Sequence, residues 1–353
     1  MKNNFLDSLN LRDFFDPYII AEVGVNHEGS IKKAKKLIDL AVKGGADCVK
    51  FQTYKAETLA SKNSPSYWDL NKEKTKSQYL LFKKFDKFDK NDYKNLAKYC
   101  KKKSIDFLST PFDEDSVDFL NPHLKFFKVA SADLTNYQLL KKIASKKKPI
   151  ILSVGASTSK EIDNTINFLK KNGVKAIILL HCILNYPTLN KNANLEKIKF
   201  LKRKYKNKII GYSDHTLPDT FMSSLVISTF YGAKVIEKHF TLDKNLKGND
   251  HYHSMDSNDL KNFKNILKNF RVLNGSQNYN PLKLEKEARL NARRSLVLKI
   301  NLRKGDTILD KHLISKRPGF GISPVDIRKI VGKKINKDLK SDHILKYKDI
   351  SLK

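Results

Sequence analysis

The chain has 353 residues, 40% of them hydrophobic, which is enough for one large core and a small second domain. It contains no run of about 18 apolar residues, so the sequence excludes a transmembrane helix of ordinary length. The net charge is +32, but only nine of the 69 basic residues are arginine, and the lysines are spread along the whole chain. This pattern favours solvated lysine surfaces over a nucleic-acid-binding face.

The N-terminal residues and the cysteines point to a reducing compartment. Residues 1–16 lack the basic start and apolar centre of a signal peptide, so we expect none there. Cys48, Cys100 and Cys182 are far apart and form no CxxC pair. They predict neither a disulfide framework nor a zinc site, and indicate a cytoplasmic protein.

Eight apolar runs alternate with helical patterns over the first 275 residues. Most runs are continuous rather than alternating, which is typical of strands covered on both faces. The predicted strands are 18–23, 46–51, 105–110, 125–130, 149–154, 176–182, 208–213 and 234–240.

Amphipathic helices are predicted between these strands, at 31–43, 93–102, 136–145, 159–171, 218–231 and 258–273. Ser30 is a candidate N-cap of the first helix, and Gly44-Gly45 would end it. Strand–helix units of this number and total length predict an α/β protein with a (β/α)8 TIM barrel. A doubly wound open sheet is the alternative.

Two regions break the strand–helix alternation. Residues 54–92 form a long connection that contains Tyr67 and Trp68, and either a lid or a mobile surface insertion fits it. We predict a catalytic barrel over 1–275, a linker over 276–293 that begins within the turn-rich stretch GSQNYNP (275–281), and a small β-rich domain over 294–353.

Polar residues recur at the C-terminal ends of the predicted strands, where barrel enzymes build their active sites. Lys50 and Lys128 would supply cations there. Short hydroxyl side chains would donate hydrogen bonds from Thr110, Ser131, Ser153 and Ser213. This set suits a phosphate and a carboxylate on one small ligand, although each hydroxyl alone could simply cap the following helix.

Two histidines and one glutamate complete this set. His215 and His239 follow neighbouring predicted strands, and two neutral imidazoles could bind a divalent metal, with substrate or water as further ligands. A hydrogen-bonded structural role is the alternative for either histidine. Glu22 could act as a general base or orient a water, or could only form an N-cap or a salt bridge. His251 and His253 are further candidate ligands, with a role as ordinary loop residues as the favoured alternative.

Nine stretches of the sequence resemble motifs of the N-acetylneuraminate (sialic acid) synthase family. They are AEVGVNHEGS (21–30), VKFQTY (49–54), FLSTPFD (107–113), FKVASAD (127–133), PIILSVGAS (149–157), LLHCILNYPT (179–188), IIGYSDHT (209–216), IEKHFTLD (236–243) and KRPGFGISP (316–324).

The resemblance implies a fold, a partner and a reaction. The fold is a (β/α)8 barrel joined to a C-terminal antifreeze-like (SAF) domain, and the partner is a second copy in a domain-swapped homodimer. The reaction is that of a transferase, which condenses phosphoenolpyruvate with an N-acylated hexosamine and water to give a nonulosonic acid and phosphate. The cofactor would be a divalent metal, Mn²⁺ first, with Mg²⁺ or Co²⁺ as alternatives.

Roles for individual residues also come from the resemblance. Phosphoenolpyruvate would be held by Lys50, Thr110, Lys128, Ser131, Ser153 and Ser213, with Glu22, Lys50 and Lys128 in catalytic roles. The metal would be held by His215 and His239. The sugar would be contacted by Glu22, Gln52, Asp133, Tyr186 and Asp250. Arg317 would reach the sugar that is bound in the partner subunit.

The sequence departs from the family pattern at two places around the sugar. The family typically has a Gly-Glu pair where Ala132-Asp133 stand, and an Asn where Leu184 stands, with Asn185 one place later. Both departures affect the identity of the sugar rather than the reaction.

The alternative functions are another phosphoenolpyruvate-dependent barrel aldol synthase and, from the positive charge, a non-catalytic nucleic-acid-binding protein.

Overall fold

A computed structural model describes residues 6–7, 9, 12–248 and 250–351. The chain separates into two compact units, Met1–Gly275 and Ser276–Lys353. Within the described part, none of the helices combines the length and the hydropathy that crossing a membrane requires.

The first unit is built on one sheet of eight parallel strands. They are β1 Tyr18–Gly24, β2 Cys48–Thr53, β3 Asp106–Pro111, β4 Phe127–Val129, β5 Ile150–Ser153, β6 Ile177–His181, β7 Ile210–Asp214 and β8 Val235–His239. The strand order is β3-β2-β1-β8-β7-β6-β5-β4, and Cα atoms of the two end strands, β3 and β4, come within 8 Å of each other. The sheet is therefore a nearly closed barrel, which confirms the predicted fold class.

Both faces of the sheet are covered. All seven residues of β1 and all five of β6 are buried. Helices cover the outer face, so the strands read as continuous apolar runs. The helices of this unit are Ile31–Gly44, Ala56–Leu59, Gln78–Phe85, Lys90–Lys102, Glu114–Leu120, Tyr137–Ser145, Ser159–Lys171, Glu196–Lys204, Ser223–Phe230 and Ser257–Asn274.

Local capping explains where these helices begin and end. The Ser30 hydroxyl accepts a hydrogen bond from the Lys33 backbone N–H, and Gly45 has a φ of 90°, as predicted for this helix. The predicted helix 218–231 begins only at Ser223 because the Asp219 carboxylate accepts from the Ser223 N–H and holds the preceding residues in a turn.

The long connection at 54–92 is folded. It contains two of the helices above, the start of a third at Lys90, and a bridge between Pro65 and Ser77. The Trp68 indole donates to the backbone oxygens of Glu73 and Thr75. The buried Glu73 carboxylate in turn accepts from the Lys84 ammonium at 2.9 Å, so this segment has its own network of polar contacts.

The second unit has a separate small core, which includes Leu296, Ile308, Ile330 and Leu345. Its strands, β9 Ser295–Leu298 and β10 Leu313–Lys316, pair antiparallel. The remaining pairing consists of isolated bridges, and its helices are Lys286–Ala292 and Ile327–Ile330. Regular strand is therefore short in this unit.

Candidate active site

A cleft of about 1620 Å³ lies at the C-terminal ends of the barrel strands. The sequence-predicted site residues that line it are Glu22, Lys50, Gln52, Thr110, Lys128, Ser131, Asp133, Ser153, Tyr186, Ser213, His215, His239 and Asp250. Residues from distant parts of the chain thus converge because parallel strands end at one side of the barrel. Arg317 is exposed and belongs to the second unit.

Several other polar residues at strand ends do not line this cleft. Asp214 and Lys238 pair with each other at 2.6 Å. The His181 ring bonds to the Ala193 carbonyl, and the Ser109 hydroxyl to that of Thr53. Side chains alternate between the two faces of a strand, so only every second residue of such a run faces the cleft.

Two buried lysines and two buried glutamates form the floor of the cleft. The Lys50 ammonium lies 2.7 Å from Oε2 of Glu22 and 3.7 Å from Oε2 of Glu237. The Lys128 ammonium lies 3.8 Å from Oε1 of Glu237. All four side chains are at least nine-tenths buried, so their charges interact in a medium of low polarity.

These neighbours shift the pKa values in different directions. Burial lowers the pKa of Lys50, but the Glu22 and Glu237 carboxylates outweigh it and raise the value overall. Burial would raise the pKa of Glu237, yet Lys128 and Lys50 lower it to about 2. Burial raises the pKa of Glu22 despite the attraction of Lys50, and burial lowers the pKa of Lys128. Glu237 is therefore held as an anion, whereas the Glu22 carboxylate takes up a proton more readily than an exposed glutamate does.

Hydroxyl groups surround this floor. The Lys50 ammonium donates to Oγ1 of Thr110 at 3.3 Å, and the Lys128 ammonium donates to Oγ of Ser153 at 2.6 Å. The Ser213 hydroxyl donates to Oε1 of Glu237 at 2.9 Å. The hydroxyls thus contact the charged groups of the floor rather than only capping helices.

The two predicted metal ligands face each other across the cleft. The rings of His215 and His239 have centroids 5.5 Å apart. Nδ1 of His215 bonds to the Ile183 carbonyl at 2.6 Å, and Nδ1 of His239 bonds to Oδ2 of Asp250 at 2.8 Å. Among the described residues, no hydrogen bond reaches Nε2 of either ring, so both are available as donors to a metal.

Asp250 and His253, predicted as a sugar contact and as a further candidate metal ligand, form a cluster with His239. Ligand atoms of His239, Asp250 and His253 all come within 4.8 Å of one another, and all three residues are buried. Nε2 of His253 lies 3.3 Å from Oδ1 of Asp250. Burial opposes ionisation of Asp250, but His239 lowers the pKa of its carboxyl well below the usual range.

The predicted sugar contacts lie above the floor. Gln52 donates from Nε2 to Oε1 of Glu22 at 2.8 Å. Tyr186 packs on the His215 ring with centroids 4.2 Å apart. Burial raises the pKa of Asp133, whose carboxylate accepts a hydrogen bond from Asn136.

Sequence reasoning missed some residues of the cleft. The sequence motifs assign no role to Glu237, although its place two residues before His239 puts both on one face of β8. Tyr67, Trp68 and Lys72 of the long connection also line the cleft. Their contribution supports the lid interpretation, but no sequence signal specified which of them turn inward.

Comparison with known proteins identifies the family. The model of the NeuB family matches residues 37–279, and that of the SAF domain matches residues 293–351. The chain belongs to the NeuB family. The resemblance predicted from the motifs is thereby confirmed, as is the prediction that the protein is an enzyme of this family.

Three named members of the NeuB family illustrate the similarity. N,N'-diacetyllegionaminic acid synthase of Campylobacter jejuni is 40% identical over 93% of this chain and 98% of its own length. The synthase of the same name from Legionella pneumophila is 38% identical over 94% of both chains. Human N-acetylneuraminate-9-phosphate synthase is 32% identical over 90% of this chain and 88% of its own.

A solved structure agrees with the fold. The N-acetylneuraminic acid synthetase of Leptospira borgpetersenii, crystallised with citrate, is 33% identical and has a TM-score of 0.66. The alignment covers 77% of this chain and 90% of the Leptospira chain.

Proposed function

We propose that the protein condenses phosphoenolpyruvate with an N-acylated hexosamine and water to give a nonulosonic acid and phosphate. The observation that carries this proposal is the pairing of two buried lysines, Lys50 and Lys128, with hydroxyl groups in one cleft beside two imidazoles. Phosphoenolpyruvate carries a phosphate and a carboxylate, and both would accept charge-assisted hydrogen bonds from these groups.

The phosphoenolpyruvate site would comprise Lys50, Thr110, Lys128, Ser131, Ser153 and Ser213. Glu237 lies within 3.8 Å of both lysines and partly neutralises them. Phosphoenolpyruvate would bring further negative charge next to both lysines. This charge would keep Lys128 protonated although burial lowers its pKa.

A divalent metal fits beside this site. His215 and His239 each have Nδ1 engaged and Nε2 without a hydrogen bond among the described residues. Burial, and then the neighbouring His239, lower the pKa of His215 to about 3, so its ring is neutral, as a metal ligand must be. Two protein ligands leave room for substrate oxygens, and a bound Mn²⁺, Mg²⁺ or Co²⁺ would supply Lewis acidity to the aldehyde oxygen.

The reaction forms one C–C bond and, at C2, replaces the C–O bond to phosphate by a C–O bond to the water oxygen. C3 of phosphoenolpyruvate bonds to the aldehyde carbon, whose oxygen takes up a proton. Water adds to C2 and loses one proton, the C2–O bond to phosphate breaks with its electron pair going to phosphate, and the remaining proton of the C2 hydroxyl passes to phosphate to leave the C2 carbonyl. Glu22 would accept the water proton, since its raised pKa makes it a better base than an exposed glutamate. Lys50 and Lys128 would stabilise the anionic groups throughout.

The sugar would be contacted by Glu22, Gln52, Asp133, Tyr186, Asp250 and Arg317. The identity to the two N,N'-diacetyllegionaminic acid synthases, 40% and 38%, exceeds the 32% identity to human N-acetylneuraminate-9-phosphate synthase. This difference supports a di-N-acylated acceptor. Phosphate release from phosphoenolpyruvate with Mn²⁺ should therefore be fastest with di-N-acetylated hexosamines in a panel that also contains N-acetylmannosamine and its 6-phosphate. Mass spectrometry identifies the product, and absence of phosphate release with every sugar would refute the proposal.

The active form would be a domain-swapped homodimer in a reducing, cytoplasmic setting. The three cysteines are buried and unpaired, which supports that setting. Arg317, exposed in the second unit, would reach the N-acyl group of a sugar in the partner subunit. Arg317→Ala should raise the sugar KM, and mixing it with Glu22→Gln, whose barrel lacks the proposed base, should restore activity at the wild-type KM in mixed dimers. Failure of this complementation would exclude the swapped arrangement.

A further inference from the structure

The buried carboxylate of Asp250 lies between two imidazoles. Its Oδ2 is 2.8 Å from Nδ1 of His239, and its Oδ1 is 3.3 Å from Nε2 of His253. The His253 side chain is fully buried, and its ring lies 5.0 Å from the His239 ring. His239 is thus oriented by a carboxylate that is itself flanked by a second histidine.

The segment that carries Asp250 and His253 is fixed by the motif at 22–29. The Asn26 amide donates to the Phe240 carbonyl at 3.0 Å and to the Ser254 hydroxyl at 3.1 Å. That hydroxyl donates to the backbone oxygen of Asp250. The motif residues around Glu22 therefore support the loop behind His239 as well as the cleft.

Gly24 of the same motif makes the close approach possible. A Cβ atom at this position would lie 2.8 Å from Oδ2 of Asp250, closer than Cβ atoms occur in proteins. Its φ of 52° also disfavours a side chain. A glycine is required here because the carboxylate that holds His239 occupies the space.

These contacts fix the tautomer of His239. A carboxylate accepts, so the proton of a neutral His239 ring lies on Nδ1 and the lone pair on Nε2 points away from Asp250. A carboxylate held on one oxygen alone could rotate about its own bond. A donor on the second oxygen would restrict that rotation. Nε2 of His253 lies 3.3 Å from this oxygen without completing a hydrogen bond, and no described residue bonds to either nitrogen of this buried ring.

We propose that His253 is a positioning residue, which acts through Asp250 to hold His239 with Nε2 directed toward the metal. The proposal rests on the proposed function for the presence of a metal, but the tautomer does not depend on it. The same three residues could instead enclose an ion directly. The two arrangements predict different consequences of removing His253.

The test compares three substitutions in the metal-free protein. His253→Phe keeps a ring but removes both nitrogens, His253→Gln restores an N–H donor, and His251→Gln is the matched control. His251 lies two residues away and contacts Thr241 and Glu28 rather than Asp250. Folding of each variant is checked by circular dichroism and thermal unfolding.

The first readout is Mn²⁺ affinity, measured by the EPR signal of the free ion. We expect His253→Phe to weaken binding about 10- to 100-fold, the usual effect of losing such a supporting group. His253→Gln should recover most of the affinity and His251→Gln should change it less than twofold. Wild-type affinity in His253→Phe would overturn the proposal, as would a loss as complete as that of His239→Ala, which would make His253 a ligand.

The second readout needs neither metal nor activity. Burial lowers the pKa of His239, but Asp250 outweighs it and raises the value, so spectra are recorded at alkaline pH, where the ring is neutral. Long-range ¹H–¹⁵N NMR of the metal-free protein should then show His239 protonated only at Nδ1 in the wild type and as a mixture of tautomers in His253→Phe. An unchanged tautomer in His253→Phe would refute the positioning role. If Mn²⁺ does not bind to the wild type, the proposed function fails, while this readout still decides the role of His253.

Discussion

Two groups of buried charges lie side by side where β7 and β8 end, and they differ in how fully their oxygens are bonded. Asp214 accepts hydrogen bonds from Lys238, Tyr212, Thr216 and Ser224, so both of its oxygens are occupied. In Glu237, by contrast, Oε2 is buried and has no hydrogen bond among the described residues. Its nearest cation is 3.7 Å away.

The difference follows from the alternation of side chains along a strand. Ser213 is paired in register with Glu237, and Asp214 with Lys238, so neighbouring residues belong to opposite faces of the sheet. Buried charges that are fully hydrogen-bonded to each other stabilise the barrel, whereas buried charges with an unbonded oxygen indicate a ligand site. Variants of the two groups should therefore separate stability from activity.

The largest effect is expected for the floor of the cleft. Glu22→Gln removes the proposed base and should lower kcat by about 10²- to 10⁴-fold. Affinity for phosphoenolpyruvate, measured by calorimetry, should change by less than a few fold, because the lysines that hold it remain. Glu57→Gln, which alters an exposed carboxylate of the long connection, is the control. Turnover at the wild-type level in Glu22→Gln would exclude Glu22 as the base.

The opposite result is expected for the bonded group. Asp214→Asn leaves the fully buried Lys238 ammonium without its counter-charge, and should cost about 3 to 5 kcal/mol of unfolding free energy in urea titrations. The double variant Asp214→Leu with Lys238→Met should recover much of this loss. Phosphoenolpyruvate affinity of the folded variants should stay unchanged, and a large loss of affinity at full stability would contradict the division into two groups.

The same alternation of side chains decides how much of the fold and of the site can be predicted from the sequence. The continuous apolar runs predicted all eight strands, and the position of Lys50, Lys128 and the two histidines at their ends placed them in one cleft. Periodicity alone did not tell Glu237 from Lys238, since an error of one residue in the strand end reverses the face. The motifs identified the family but did not reveal why Gly24 and Asn26 occur there, because their partners lie more than 200 residues away.

A smaller effect is expected when one lysine of the floor is removed. Lys128→Met eliminates a charge-assisted contact worth about 1.5–3 kcal/mol and should raise the phosphoenolpyruvate Kd by about 10- to 100-fold. Glu237 keeps Lys50 and Ser213 as partners, so the unfolding free energy should fall far less than in Asp214→Asn. Lys160→Met, on the exposed start of a helix, controls for the general loss of positive charge. Equal Kd values in both variants would remove Lys128 from the site.

The smallest effect is a difference in the pH dependence of stability. Burial opposes the charge of Asp214, but Lys238 lowers its pKa below 3.8, so its stabilising contribution is present above 3.8 and is lost as pH falls through the lowered value. Burial raises the pKa of Glu22 above 4.5, so its ionisation costs stability increasingly as pH rises from 4.5 through the raised value.

Unfolding free energies measured in urea from pH 3.5 to 8 should therefore change with pH relative to the wild type in Glu22→Gln but stay at a nearly constant offset in Asp214→Asn. Glu22→Gln should gain stability relative to the wild type as pH rises above 4.5, because the variant carries no buried charge at this position. Asp214→Asn should already be at its full disadvantage above 3.8 and should approach the wild type only in stronger acid. Parallel curves for the two variants would mean that both carboxylates play the same structural role, and the distinction between the bonded and the partly unbonded group would fail.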